Sequence, residues 1–208
     1  LDRATKVERY DTTANGKLIA RSETKYDDRD RVYQTIGYGV NPFTGAVGNS
    51  LTDNTWYDAA GNVIKSLPSG AKLFTKTVYD GLGRSTKQSR GYDLDETAYS
   101  EASALSDDTL LDQTEFSYDA ASNVIQTALK QRYHNATGTG ELNGPSGTQP
   151  KSRITYTAAW HDPLGRVLAT ADYGTNGGSS LSRPNTVPAR SDTVLVTSMN
   201  YNSAGQLF

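Results

Sequence analysis

Pairs of apolar residues recur along the chain, directly after short polar segments that contain Asp and Gly. Adjacent residues of a β-strand point to opposite faces of a sheet, so each pair predicts the beginning of a strand with one apolar side chain on each face. Each polar segment with its flanks therefore predicts a β-hairpin, and successive hairpins predict a long antiparallel sheet. The apolar pairs are Leu18-Ile19, Val32-Tyr33, Val63-Ile64, Val124-Ile125, Val167-Leu168 and Leu207-Phe208.

The polar segments share a turn motif: Tyr-Asp, two variable residues, then Gly. Asp in the first turn position can accept a hydrogen bond from the backbone two residues further on, which forms an Asx-turn. Gly in the fourth turn position adopts a positive φ without steric cost, as a type I turn followed by a G1 bulge requires. The units begin at Tyr10, Tyr26, Tyr57, Tyr79, Tyr118, His161 and Tyr201. The residues predicted to build the turns are Asp58, Gly61, Asp80, Gly83, Asp119, Asp162, Gly165 and Gly205.

Three units depart from this motif at the Gly position. Asp30 and Ser122 stand in the Gly position, where Asp tolerates the left-handed region more readily than Ser. The unit at Tyr10 carries two extra residues, which place its Gly at position 16. We nevertheless expect every unit to form the same kind of hairpin.

Three longer segments separate some of the units and are rich in Gly, Ser, Thr, Asn or Pro, which predicts loops. They cover 92–112, 135–151 and 174–192. The stretch 100–111 can form a short helix with Ser100 as its N-cap. Because these insertions lie between units, we expect them to leave the sheet on one side. The whole chain, 1–208, is then a single repeat region, in which each unit buries its apolar face only against its neighbours.

Composition narrows the possible functions. The net charge of −2 gives no electrostatic basis for binding nucleic acid or an anionic membrane. Cysteine is absent, which excludes disulfides and thiolate metal sites. No apolar run is long enough to predict a membrane-spanning helix. Because the first residue is Leu, we expect the chain to be a section of a longer product.

The motif resembles the YD repeat of the RHS (rearrangement hotspot) proteins, which include bacterial polymorphic toxins, the BC component of insecticidal toxin complexes, and teneurins. The residues that carry the resemblance are Tyr79-Asp80-Gly81-Leu82-Gly83-Arg84 and His161-Asp162-Pro163-Leu164-Gly165-Arg166. The resemblance implies a strand-turn-strand ribbon that curves into a large β-shell. It also implies an extracellular or cell-surface location. The expected partners are further YD repeats or identical subunits, with an enclosed toxin domain or a cell-surface glycan as additional possibilities.

The chain also departs from the toxins of this family. Their shell ends in a core segment rich in DPxG patterns that carries the aspartates for self-cleavage, and no such segment occurs here. Asp162-Pro163-Leu164-Gly165 is only a repeat turn. The self-cleavage activity therefore transfers to no residue of this sequence.

Residues capable of catalysis or metal binding form no recognisable motif. His161 stands where other units have Tyr, and His134 has no ligand partner nearby in sequence. Serines occur outside any GxSxG motif. Carboxylates paired in space for glycoside hydrolysis, and calcium at the acidic clusters, stay open as less favoured alternatives. The acidic clusters are Asp27-Asp28-Arg29-Asp30, Asp93-Asp95-Glu96 and Asp107-Asp108.

The aromatic residues allow two interpretations. Trp56, Trp160 and the tyrosines either stack on sugars or form a ladder of side chains along the sheet, and the second is more typical of repeat positions. Asn135-Ala136-Thr137 is a glycosylation sequon, which matters only in a eukaryotic secretory protein. We expect no catalytic residue, no metal and no cofactor. The favoured function is a structural scaffold of a secreted β-shell or surface assembly, and the alternative is adhesion or glycan binding through the insertion loops.

Overall fold

The computed structural model describes residues 3–12, 16–93 and 99–207. Almost all regular structure in these residues is β-strand, with two short 3-10 helices at Tyr99–Ser103 and Asn176–Gly178. The strands are β1 (Lys6–Tyr10), β2 (Leu18–Tyr26), β3 (Val32–Val40), β4 (Val47–Tyr57), β5 (Val63–Leu67), β6 (Phe74–Tyr79), β7 (Ser85–Tyr92), β8 (Thr109–Tyr118), β9 (Val124–Arg132), β10 (Ser152–His161), β11 (Val167–Gly174) and β12 (Leu195–Ser198).

The order of strands in the 12-stranded sheet follows their order in the chain, from β1 to β12. The pairings are antiparallel, as hairpin connections require. The prediction of an all-β fold made of consecutive antiparallel hairpins is therefore confirmed.

The chain divides into two compact units. The first contains residues 1–76 and 94–103, and the second contains 77–93 and 104–208. Within each unit, successive connections lie at alternate ends of the strands because neighbouring strands are antiparallel. The turns at 27–31 and 58–62 thus share one end of the first unit. In the second unit, the turns at 80–84, 119–123 and 162–166 likewise share one end, and the long insertions lie at the other.

Two lysines and an aromatic ring form a buried cluster in the first unit. Phe74 is 2% exposed, and Lys65 and Lys76 are 4% exposed each and lie opposite one another on β5 and β6. Their ammonium nitrogens lie 4.9 and 4.7 Å from the centre of the Phe74 ring, and Lys65 also lies 4.8 Å from that of Trp56. The aliphatic stems pack as apolar groups while the charges lie over π faces. Lys76 also donates a hydrogen bond to the carbonyl of Glu101.

The core of the second unit lies under the last insertion. Ala158, Trp160, Ala169 and Ala171 form the buried cluster, on which Tyr173, Val194 and Val196 pack. The indole nitrogen of Trp160 donates to the carbonyl of Pro184 at 3.2 Å. Arg183 lies 4.7 Å above the Trp160 ring and donates to the carbonyl of Ala159. The small alanines thus leave space for one large ring, which the returning loop covers.

The insertion between β9 and β10 is fixed to the same face of the second unit. Leu142 is 1% exposed, and its N–H donates to the fully buried side chain of Gln113. The carbonyl of Asn143 accepts bonds from both the N–H and the hydroxyl of Ser152. Ser152 and Trp160 are an even number of residues apart on β10, so these two insertions cover one face.

The insertion predicted at 92–112 is shorter in the structure. β7 continues to Tyr92, β8 begins at Thr109, and the helix expected at 100–111 is only the 3-10 helix Tyr99–Ser103. The expected helix fails beyond Ser103 because Leu110 pairs with Gly91 and is fully buried. A Cβ at Gly91 would lie 2.9 Å from the Leu110 side chain, so a residue without a side chain is needed there. Tertiary packing therefore overrides local helix preference.

The unit at Tyr10 differs from the others. Its turn lies at the opposite end of the strands from the turn at 27–31, because only β2 separates the two. Asp11 bonds to Lys17 through both its N–H and its carboxylate. Gly16 lies outside the left-handed region, unlike the other Gly residues of the motif, and residues 13–15 fall outside the described part of the chain.

The turn that joins β3 to β4 was not predicted from sequence. Asn41 accepts hydrogen bonds from the N–H groups of Phe43 and Thr44, and Gly45 has φ +74°. The sequence signal was the Asn-Pro pair at 41–42, followed by a Gly, which is a turn signature.

Candidate functional site

The Asp of each repeat turn is held by hydrogen bonds from the turn itself. We use "repeat turn" for the five-residue segments 27–31, 58–62, 80–84, 119–123, 162–166 and 202–206. In the turn at 80–84, Asp80 Oδ1 accepts the N–H groups of Leu82 at 2.9 Å and Arg84 at 3.0 Å. Asp119 does the same with Ala121 and Asn123, both at 2.9 Å. This is an Asx-turn with one additional bond.

The second carboxylate oxygen binds the side chain at the end of the turn. Asp80 Oδ2 accepts the Nε of Arg84 at 2.7 Å, and Asp58 Oδ2 accepts the amide of Asn62 at 2.9 Å. Asp27, Asp119 and Asp162 make the corresponding bonds to Arg31, Asn123 and Arg166. The last turn uses an amide instead, since Asn202 Oδ1 accepts the N–H groups of Ala204 and Gln206.

These bonds hold the pKa of the turn carboxylates below its ordinary value. For Asp80 the N–H of Arg84 contributes most, and for Asp58 and Asp119 the side-chain amides of Asn62 and Asn123 do. At Asp162 burial acts in the opposite direction and is the largest influence, but the bonds from Arg166 and Leu164 together still lower the pKa. Hydrogen bonds to the charged form are the physical cause in each case.

The glycines of the repeat turns take the backbone conformation that the motif requires. Gly83 has φ +77°, and Gly61, Gly165 and Gly205 have φ +97°, +78° and +79°. Asp30 and Ser122 occupy the same region at +63° and +67°. The strand register shifts beside these turns, for example between Ser117 and Tyr118, as a G1 bulge produces.

Arg side chains connect one repeat turn to the next. The guanidinium carbons of Arg31, Arg84 and Arg166 lie 4.5, 4.5 and 4.6 Å from the ring centres of Tyr57, Tyr118 and Tyr201. The hydroxyls of these tyrosines donate to the carbonyls of Val32, Ser85 and Val167, at 2.8, 2.7 and 3.0 Å. Each of these carbonyls directly follows the stacking Arg in the chain. Two interactions therefore connect each of these pairs of turns.

The interaction between these turns is thus a pairing of one guanidinium with one ring, and these pairs do not form the continuous aromatic ladder expected from sequence. Its sequence signal is the residue after the Gly position, which alternates between Arg and an amide in the order Arg31, Asn62, Arg84, Asn123, Arg166, Gln206. The motif matches at 79–84 and 161–166 include this position, but its contact with a tyrosine of the next unit was not predicted from sequence.

Arg3 makes the same kind of contact with Tyr26. Its guanidinium carbon lies 4.8 Å from the ring centre of Tyr26, and the Tyr26 hydroxyl donates to the carbonyl of Ala4 at 3.4 Å. Arg3 also forms an ion pair with Asp30. Tyr26 is therefore coupled to Arg3–Ala4 as Tyr57 is coupled to Arg31–Val32.

The residues considered for chemistry do not come together. In the described residues, no group of three or more His, Cys, Asp or Glu side chains is arranged to hold a metal ion. The turn carboxylates, including Asp27, already accept bonds within their turns. His134 is exposed, and the Nδ1 of His161 is buried without a hydrogen-bond partner among the described residues. Residues 94–98, which hold Asp95 and Glu96, fall outside the described residues.

Neither tryptophan is free to stack on a sugar, as the first of the two aromatic interpretations required. Trp160 is 6% exposed and is covered by Arg183, and Trp56 is half-buried beside Lys65. None of the helices that the structure describes has the length and apolarity needed to cross a bilayer.

Comparison with known proteins gives matches among solved structures alone: no family model matches, and no curated protein matches. The Photorhabdus luminescens Tc holotoxin pore is 15% identical over 97% of this chain and 8% of the matched chain, with a TM-score of 0.45. The TcdB2-TccC3 structure is 14% identical over 90% of this chain and 9% of the matched chain, with a TM-score of 0.44. The TcdB2-TccC3-Cdc42 structure is 14% identical over 96% of this chain, with a TM-score of 0.32. The chain spans 12% or less of each of these matched chains.

Proposed function

We propose that this chain is a structural section of a YD-repeat scaffold of the RHS type, part of a β-shell or a surface assembly outside the cell. The observation that carries the proposal is the coupling of successive repeat turns, in which Arg84 stacks on Tyr118 and Tyr118 bonds back to Ser85. This coupling uses the Tyr, Asp, Gly and Arg of the motif together to hold neighbouring hairpins in register.

The role in this proposal is mechanical, without catalysis. An Asp that accepts several bonds within its own turn, as Asp80 does, has a depressed pKa and is a poor general base at neutral pH. The motif residues are spread along the edge of the sheet, one set to each hairpin, where they stabilise hairpins rather than meet at one reaction centre.

The partners in this proposal are further repeats of the same chain or identical subunits. β1 and β12 are the outer strands of the described sheet, and Val7 and Leu195 on them are 55% and 59% exposed. Unpaired outer strands with exposed apolar residues are sites of pairing with another chain. An enclosed cargo would lie against the assembled sheet.

Light scattering of the purified 208-residue chain over a concentration series tests this proposal. We expect self-association that increases with concentration. The N–H of Met199 donates to Leu168 on β11, so the N–H of its neighbour Ser198 points away from β11. A Ser198→Pro variant removes this outward donor and should associate less. A chain that remains a stable monomer at all concentrations would contradict the proposal.

A second candidate function is adhesion or glycan binding through the insertions. The observation that favours it is that 133–151 and 175–194 are folded onto the sheet and so can form a defined surface. Binding to a glycan array that disappears when 135–151 or 174–192 is deleted would support it, and an array without signal would contradict it.

A further inference from the structure

A cleft of about 510 Å³ lies over β8, β9 and β10 of the second unit. Its lining includes Glu115 and Tyr156, which lie in one row of the sheet with Ala128 and Gly174 on four successive strands. Ala128 has a short side chain and Gly174 has none. The row therefore leaves open space beside the larger side chains of Glu115 and Tyr156.

Two loops form the walls of this cleft, at 142–147 and 175–180. The first is fixed to the sheet through Leu142, and a Cβ on its Gly144 would lie in ordinary van der Waals contact with the Ile154 side chain, at 3.6 Å. The second is held by bonds from the Asn176 side-chain amide to the carbonyls of Ser179 and Ser180. The walls are thus formed before any ligand binds, as is usual for small-molecule sites.

The polar groups of the cleft combine a neutralised ion pair with free hydrogen-bonding atoms. Lys130 donates to Glu115 Oε1 at 2.6 Å, and the Gln113 amide donates to the same oxygen at 2.8 Å. The other carboxylate oxygen of Glu115 accepts no bond from the part of the chain that the structure describes, and the same holds for the hydroxyls of Tyr133 and Tyr156. These residues therefore offer one carboxylate oxygen and two tyrosine hydroxyls, and Arg153 adds a second cation to the lining.

From this geometry we propose that the cleft binds a sugar of one or two units. A carboxylate oxygen accepts short, strong bonds from ligand hydroxyls, and tyrosine supplies an apolar ring with a polar tip. The volume lies in the range of small-molecule sites, roughly 300–1,000 Å³. This proposal concerns the insertions and does not depend on the scaffold role.

Maltose, lactose and N,N′-diacetylchitobiose are suitable probes, titrated separately into the ¹⁵N-labelled chain and followed by NMR. We expect at least one of them to shift the amide signals of 142–147 and 175–180. A response to none of the three would overturn the proposal.

Variants locate the binding. Glu115→Gln should weaken the affinity of the responding disaccharide about tenfold or more, which is the effect of losing a charged acceptor. Tyr156→Phe removes only a hydroxyl and should weaken binding without affecting the fold, so it decides the question if Glu115→Gln unfolds. Glu141→Gln, whose Glu pairs with Lys87 outside the cleft lining, is the matched control and should bind normally. Unchanged disaccharide affinity in folded Tyr156→Phe and Glu115→Gln would overturn the proposal. Neither substitution is expected to change the self-association that light scattering measures.

Discussion

One carboxylate organises each repeat turn. Asp80 accepts the N–H groups of Leu82 and Arg84 and the side chain of Arg84, so a single residue satisfies donors that the tight turn would otherwise leave unpaired. Gly83 then reverses the chain at φ +77°. Asn202, which holds the final turn through its amide oxygen, indicates that the backbone bonds can form without the charge.

Gly83→Ala should destabilise the protein by about 1–2 kcal/mol, because a Cβ at a positive φ clashes with the following carbonyl. Gly81 lies in the same turn, has no positive φ and would meet no atom within 4 Å if a Cβ were added. Gly81→Ala is therefore the matched control and should be neutral or slightly stabilising. Urea unfolding measures both variants. Equal destabilisation by the two would contradict the assigned turn.

Acid should destabilise the protein through the turn carboxylates. The pKa values of Asp27, Asp58, Asp80 and Asp119 are lower in the folded protein than their ordinary values, so the stabilisation is complete above the unfolded pKa of about 3.9. It is lost as the pH falls through the lower folded values. The melting temperature should therefore fall below pH 4, and it should fall less in Asp80→Asn. An Asp80→Asn variant with the same acid dependence as the unsubstituted chain would argue against this assignment.

Neighbouring hairpins are connected by the stacking of Arg on Tyr. A double-mutant cycle of Arg84→Ala and Tyr118→Leu should show a coupling of about 0.5–1 kcal/mol, because Tyr118→Leu removes the ring over which the cation lies. Arg90 forms an ion pair with Asp112 instead. A cycle of Arg90→Ala with Tyr118→Leu should therefore be additive. Additivity in both cycles would remove the evidence for coupling between turns.

The insertions contribute to the stability of the folded protein, as the strands do. Leu142→Ala should cost about 2–5 kcal/mol, because Leu142 is 1% exposed against the sheet. Leu164 is 77% exposed at the tip of a repeat turn, and Leu164→Ala should change the free energy of unfolding by less than about 0.5 kcal/mol. Chemical denaturation compares the two, and a neutral Leu142→Ala would mean that the insertion is not packed in solution.

The local chemistry of the turns was predictable from sequence, and the long-range packing was not. Asp and Gly at fixed spacing determine φ and hydrogen bonding within five residues, so the turn at 80–84 can be predicted from its own five residues. Burial of Leu142 against Gln113, or of Leu110 against Gly91, depends on strand register that no local pattern specifies. The cleft beside Tyr156 depends likewise on which residues face each other across four strands.

The chain as a whole has many exposed apolar side chains and a small buried core. Val7, Leu51 and Leu195 are all more than half exposed, while the buried cluster of the second unit consists largely of alanines. Backbone pairing and the repeat turns therefore carry a large share of its order, and exposed apolar surface of this kind fits a section of an assembly better than an isolated molecule.

Amide hydrogen exchange of the whole chain, followed by NMR, tests the central claim most directly. The amides of Arg31, Asn62, Arg84, Asn123 and Arg166 donate to the turn carboxylates. We expect them to exchange much more slowly than in an unfolded chain, although they lie in exposed turns, and protection at Arg84 should be lost in Asp80→Ala. If these amides exchange at the rates of an unfolded peptide while the strands remain protected, the carboxylates do not hold the turns and the account of the repeat is wrong.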